Sequence, residues 1–165
     1  MRSIEILDIK LFMQLLFQSD ILADYELVSA EIRTDMTYSL DGHIHPDFFT
    51  NEETEELLLS NLTYLPWRIA KDKVFTLIKG KKTPSMLKLV LKTSNEKTSS
   101  ILSATNSSLN VTDIDGMYLN ILFQNHQLTV VCGVSYKIFT MDKTLENEFC
   151  EQILSLFKAN QITCN

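Results

Sequence analysis

Between Leu128 and Ile138 the apolar residues keep one parity without a break: Leu128, Val130, Cys132, Val134, Tyr136 and Ile138. Alternation of that length lays one oily face along an extended strand, and such a face must be covered by a second layer. The run therefore commits the C-terminal half of the chain to a sheet. Met117 to Gln124 reads as a strand just before it, and Asn125-His126 between the two marks a hairpin. Met86 to Thr93 is a third strand, with Leu87, Leu89 and Leu91 on one face.

The N-terminal part repeats this pattern. Ser3 to Leu7 reads as a short strand. Tyr25 to Arg33 alternates, with Val28, Ala30 and Ile32 facing one way, and Met36 to Leu40 returns after Thr34-Asp35 as a hairpin partner. Asp41-Gly42 signals a turn or bulge. Strand, helix and hairpin thus follow one another at residues 3–44 and again at 86–138. The second copy is longer, and its extra length falls in the polar loop Asn106 to Asp113, where insertion costs little. The expected topology is an internal pseudo-repeat within one domain spanning 1–165.

The helices carry their own punctuation. Asp8 caps a helix through about Gln18, whose polar residues Lys10, Gln14 and Gln18 form one stripe while the remainder is mostly apolar. Thr50-Asn51-Glu52-Glu53 is a capping box opening an acidic helix to about Ser60. Pro66 suits the first turn of a helix in which Trp67, Ala70, Val74 and Ile78 share a stripe, although Val74 to Ile78 fits a strand equally well. Ser94 opens a helix to about Ala104. Asp142 or Thr144 caps a last helix to about Asn160, striped by Leu145, Phe149, Ile153, Leu156 and Phe157. The fold class is α+β: an antiparallel sheet from two strand–helix–hairpin units, with additional helices including a C-terminal one.

Composition narrows the function. The chain has 165 residues, 45% hydrophobic and 22% charged, with a mean hydropathy of +0.01. That is the make-up of an ordinary globular domain, large enough to bury a core without staples. A net charge of −6 argues against a main task of gripping phosphate backbones. The four glycines, Gly42, Gly80, Gly116 and Gly133, are scattered, which excludes a glycine-rich nucleotide loop. The three cysteines, Cys132, Cys150 and Cys164, are odd in number and widely spaced, as expected of free thiols in a reducing cytoplasm. Leu11 to Phe17 is too short to span a membrane, and Glu5 and Asp8 stand where a signal peptide would be basic. It reads as core helix.

Two polar constellations stand out. In Asp41-Gly42-His43-Ile44-His45-Pro46-Asp47, an extended backbone would project His43 and His45 to one face, with Asp47 adding an oxygen, as a divalent metal requires. The plainer account is a strand end with two solvated histidines. Lys79-Gly80-Lys81-Lys82-Thr83-Pro84 is the one basic cluster of an acidic chain. Backbone N–H groups around Gly80 and the lysine charges would suit an anion. It is not a Walker A loop, since Phe75 stands where the earlier glycine belongs, and the plainer account is a solvated turn. Asp113 and Asp115 are either a carboxylate pair for acid–base work or an Asx turn. Trp67, Phe75 and Cys132 read as core, Cys164 falls in a tail expected to fray, and no residues assemble a nucleophile–base pattern, so none is assigned as catalytic.

Ile78 to Pro84, Leu40-Asp41-Gly42, Pro46-Asp47-Phe48-Phe49 and Ser135 to Thr140 resemble, nearly end to end, an uncharacterised family of short bacterial proteins of unknown function. The resemblance implies a bacterial cytoplasmic protein and makes the basic loop part of the family pattern. It implies no activity, substrate or cofactor. The two strand–helix–hairpin units are also similar in topology to one domain of a DNA sliding clamp. Clamps line their DNA-facing helices with basic residues, whereas the helices at 8–18 and 95–104 offer only Lys10 and Lys97. The function expected is a non-catalytic cytoplasmic binding or protein-interaction module without a cofactor, facing a protein partner or a second copy rather than nucleic acid or membrane. The alternatives are a small metal-dependent hydrolase on His43, His45 and Asp47, and a clamp-like accessory protein.

Overall fold

The computed structural model describes residues 1–165. One antiparallel sheet of seven strands forms the centre: β1 (Arg2–Ile6), β2 (Tyr25–Arg33), β3 (Thr37–Asp41), β4 (Leu65–Pro66), β5 (Met86–Thr93), β6 (Ile114–Gln124) and β7 (Gln127–Tyr136). The order across it is β1-β7-β6-β5-β2-β3, and β4 shares the outer edge of β2 with β3. β5, β6 and β7 lie side by side, whereas β1 is separated from β2 and β3 by those three strands. Helices α1 (Ile9–Gln18), α2 (Asn51–Glu56), α3 (Trp67–Ile78), α4 (Asn95–Ser103) and α5 (Thr144–Ala159) complete the α+β fold.

The alternation sorts the sheet into two faces. Leu87, Leu89 and Leu91 on β5, Met117, Leu119 and Ile121 on β6, and Leu128, Val130 and Cys132 on β7 are buried, with Ile4 and Ile6 on β1. Helices cover this face. Phe12 of α1 meets Phe157 of α5 edge to face at 5.7 Å, and Phe17 of α1 meets Trp67 of α3 at 5.7 Å. The exposed residues of α1 include Lys10, Gln14 and Gln18, the polar stripe expected. On the opposite face Lys88, Val90 and Lys92 of β5 and Tyr118, Asn120 and Leu122 of β6 remain partly or fully open, as antiparallel sheets allow.

Several elements carry the caps read from sequence. Asp8 accepts from the N–H of Leu11, Ser94 accepts from Lys97, and Thr50 and Glu53 form the reciprocal capping box. The last helix differs: its N-cap is Lys143, without a side-chain cap, and Asp142 one residue earlier accepts from the N–H of Thr144. Residues 74–78, open to either reading, are helix. α3 in turn closes the end of α1: the Trp67 indole N–H donates to the carbonyl of Leu16 at 3.1 Å, and Lys71 Nζ donates to that of Ser19 at 3.0 Å. Those carbonyls belong to the last turn, where the helix itself supplies no partner.

Four expectations need correction. Val28 does not share the face of Ala30 and Ile32, because the register shifts between Leu27 and Ser29 and makes Val28 the extra residue of a bulge. The acidic helix stops at Glu56 instead of Ser60, ahead of Leu58 with φ 55°. β6 begins at Ile114 rather than Met117, through a second bulge at Asp115. The tail is not frayed: the N–H of Asn165 and the N–H of Glu5 each donate to the other's carbonyl, and Leu7 donates to Thr163, so residues 163–165 line the free edge of β1. No helix is long and apolar enough to cross a membrane.

Candidate functional site

The basic loop is solvent-exposed from Lys79 to Thr83 and is anchored at both ends. α3 ends at Ile78, and Ser85 is tied to the end of β2 by N–H and hydroxyl bonds to the Arg33 carbonyl, at 2.9 and 3.2 Å. Between these anchors Lys79, Gly80, Lys81, Lys82 and Thr83 arch over a cleft of about 420 Å³. Phe17, Leu87 and Phe123 line it as buried side chains. Ile9 and Met13 of α1 and Phe75 and Ile78 of α3 also line it. Phe75, expected in the core, is 38% exposed and forms part of this wall. The N–H groups of Gly80, Lys81, Lys82 and Thr83 donate to no acceptor within the chain.

The electrostatics of the loop is decided by magnitudes. The C-terminal end of α3 brings about half a negative charge to this place, and lysines are welcome there on that account alone. Three lysines exceed what one helix end needs, leaving roughly two and a half positive charges over an apolar floor. The sign of the charge is the one an anion needs, and the apolar lining is of the kind whose burial is favourable.

His43 lies elsewhere. Its Nδ1 is 2.6 Å from Asp41 Oδ1, and its backbone N–H donates to the same oxygen at 3.0 Å. Those two contacts, the backbone one first, hold the Asp41 carboxyl below its usual range. His45 precedes a short 3-10 turn, Pro46–Phe48, that contains Asp47. Nowhere in the chain do three or more His, Cys, Asp or Glu side chains gather so that they could hold a metal ion. His43 is near the Leu27 end of β2, since it bridges to Tyr64 beside β4, whereas the lysine loop is tied to Arg33. Six residues of strand, about 20 Å, separate the two constellations, and they do not converge on one cleft.

At the His43 end the open face gathers a cluster that sequence reading passed over. The rings of His43 and Tyr64 are 4.6 Å apart, Lys92 Nζ stands 5.9 Å from the Tyr64 centroid, and the Tyr118 hydroxyl donates to Asp115 at 3.1 Å. Burial, then the Asp115 contact, pushes the Tyr118 hydroxyl up to about 12. Glu26, paired in register with Lys92, is only 8% exposed, and burial raises its pKa against the pull of Lys92. Gly116 leaves the room this packing uses: a Cβ there would lie 2.7 Å from Lys92 Cε. The available signal was alternation, which puts Lys92 and Tyr118 on polar faces. Their meeting with Glu26 depends on a register set by strands far apart in the chain.

The remaining reactive groups are occupied or enclosed. Asp113 accepts from the N–H of Asn110 as a cap. Cys132 and Cys150 are buried, and desolvation drives the Cys132 thiol up to about 12 and raises that of Cys150. A second hollow, beside Tyr25 and Gln152, is bordered by Lys97, which stands 3.8 Å from Asp24 in an ion pair.

Comparison with known families decides the kinship. A family of unknown function, DUF5721, matches residues 11–165. This chain belongs to DUF5721. No curated protein and no solved structure matches it, so the similarity to sliding clamps gains no support. The DUF5721 match takes in the lysine loop, α1 from Leu11 onward and α3, the segments that build most of the cleft.

Proposed function

We propose that this DUF5721 member is a non-catalytic binding module whose ligand is an anion held in the cleft between α1, α3 and the loop Lys79–Thr83. One observation carries the reading: the only basic cluster of an acidic chain is folded over an apolar floor. The lysines are exposed, and what supports a site rather than a plain turn is the apolar lining of Phe17, Leu87 and Phe123 in the same cleft. The cleft volume lies within the range of about 300–1000 Å³ common for small-molecule sites. The buried thiols with raised pKa values support a role without nucleophilic chemistry, because the thiolate is the reactive form.

The test uses 8-anilinonaphthalene-1-sulfonate, an anion with an aromatic body, as a fluorescent probe. The native protein enhances its emission saturably, and K81E/K82E lowers the affinity by about tenfold or more at unchanged circular dichroism. Equal binding by both proteins refutes the reading.

A further inference from the structure

We infer that the occupant of this cleft is a single-chain anionic amphiphile, an acyl chain ending in a carboxylate or phosphate. The inference rests on the binding-module reading and adds the tail. Its ground is the division of the cleft into two chemistries. Lys81, Lys82 and the unbonded N–H groups of Gly80–Thr83 supply its charge and its free donors. Ile9 and Met13, one turn apart on α1, contribute apolar lining together with Phe75 of α3, whose ring lies 5.6 Å from that of Phe17.

A compact anion such as phosphate would meet the lysines and leave that lining wet. A neutral hydrocarbon would cover the lining and leave the lysines unused. Only a molecule with a charged head and an apolar chain satisfies both, each methylene buried adding about 0.8 kcal/mol. The seven apolar side chains of the lining carry no group that would read a base or sugar, which favours a flexible chain; the polar lining is Gln14, Gln18, Thr83 and the lysines.

The full-length protein is titrated calorimetrically, below any micelle threshold, with dodecanoate, dodecyl phosphate, dodecanol, acetate and inorganic phosphate. Dodecanoate or dodecyl phosphate binds at least about tenfold more tightly than the other three, and the stronger of the two identifies the head group. K81E/K82E and Phe75→Ser each weaken that binding by about tenfold while the thermal midpoint stays near the native one. Dodecanol binding as tightly as dodecanoate overturns the inference, because the lysines then contribute nothing. Inorganic phosphate matching dodecyl phosphate also overturns it, because the tail then contributes nothing. If neither amphiphile binds but anilinonaphthalene sulfonate does so through the lysines, this inference falls and the binding-module reading stands. If the sulfonate fails too, both fall.

Discussion

The Cα of Gly42 rests against the carbonyl of Leu27 so closely that a methyl group at position 42 would overlap the oxygen and lie 2.6 Å from the carbon. The contact sits where β3 hands the edge of β2 over to β4. The Gly42 N–H donates to Val28 at 2.9 Å and its carbonyl accepts from Leu65 at 2.8 Å. Both partners are backbone, so neither can swing aside. Gly42→Ala is expected to destabilise the protein by about 3 kcal/mol or more, at the upper end of overpacking effects. Gly133→Ala, whose nearest neighbour is the Met1 side chain at 3.7 Å, is the contrast and is expected to change little. Urea unfolding followed by circular dichroism measures both.

Trp67 secures two helices at once. Its indole N–H satisfies the Leu16 carbonyl, and its ring packs at a tilt against that of Phe17. Trp67→Phe keeps most of the volume but leaves a buried acceptor without a partner, a loss of about 1–3 kcal/mol. Circular dichroism must report this, since Trp67 is the single tryptophan. An unchanged urea midpoint would show that the carbonyl finds water instead.

The thiols divide by burial. Cys164 is half-buried, while Cys132 and Cys150 are enclosed. A disulfide reagent at pH 8 is expected to modify one thiol in the native protein and three in denaturant. The raised Cys132 and Tyr118 values, both about 12 from ordinary values of 9 and 10, have a further effect. Their stabilising contribution is complete below the unfolded values and disappears as pH rises through the folded ones. The urea midpoint is therefore expected to decline between pH 9 and 12, less steeply in Cys132→Ala.

Glu26 behaves in the same sense at the acid end. Its folded pKa is raised, so its contribution is present below the ordinary value of 4.5 and is lost as pH rises through the folded value. Glu26→Gln, which keeps the neutral shape, is expected to raise stability at pH 7 and leave it nearly unchanged at pH 3.5. A loss at pH 7 would mean that attraction to Lys92 outweighs desolvation.

Local chemistry made much of this architecture legible. Asp8, Thr50 with Glu53, and Ser94 announce helix starts because a cap is a contact between residues three apart. Alternation in β5 and β7 marks the buried face because the pleat has a period of two. The bulge at Val28 was hidden, since it is defined by the register against β5 and the Val28 carbonyl is met by Gly42, just past β3. So were the two residues of β4 and the pairing of Asn165 with Glu5, each defined by a distant partner. The lysine loop was visible as charge, but its apolar floor was not, because Phe17, Phe75, Leu87 and Phe123 converge from four separate elements. The Glu26–Lys92–Tyr118 cluster was hidden for the same reason.

The placement of β1 has a consequence for biogenesis. Its residues 2–6 find their ladder partners at Leu128–Cys132 and their outer cover at the last residues of the chain. A ribosome adding about 5–20 residues each second needs some 6–25 s to make those partners after β1 has emerged. Throughout that interval Ile4 and Ile6 have no sheet to join, so the core stays incomplete until β7 has been made, and a holding chaperone would have most to shield before then.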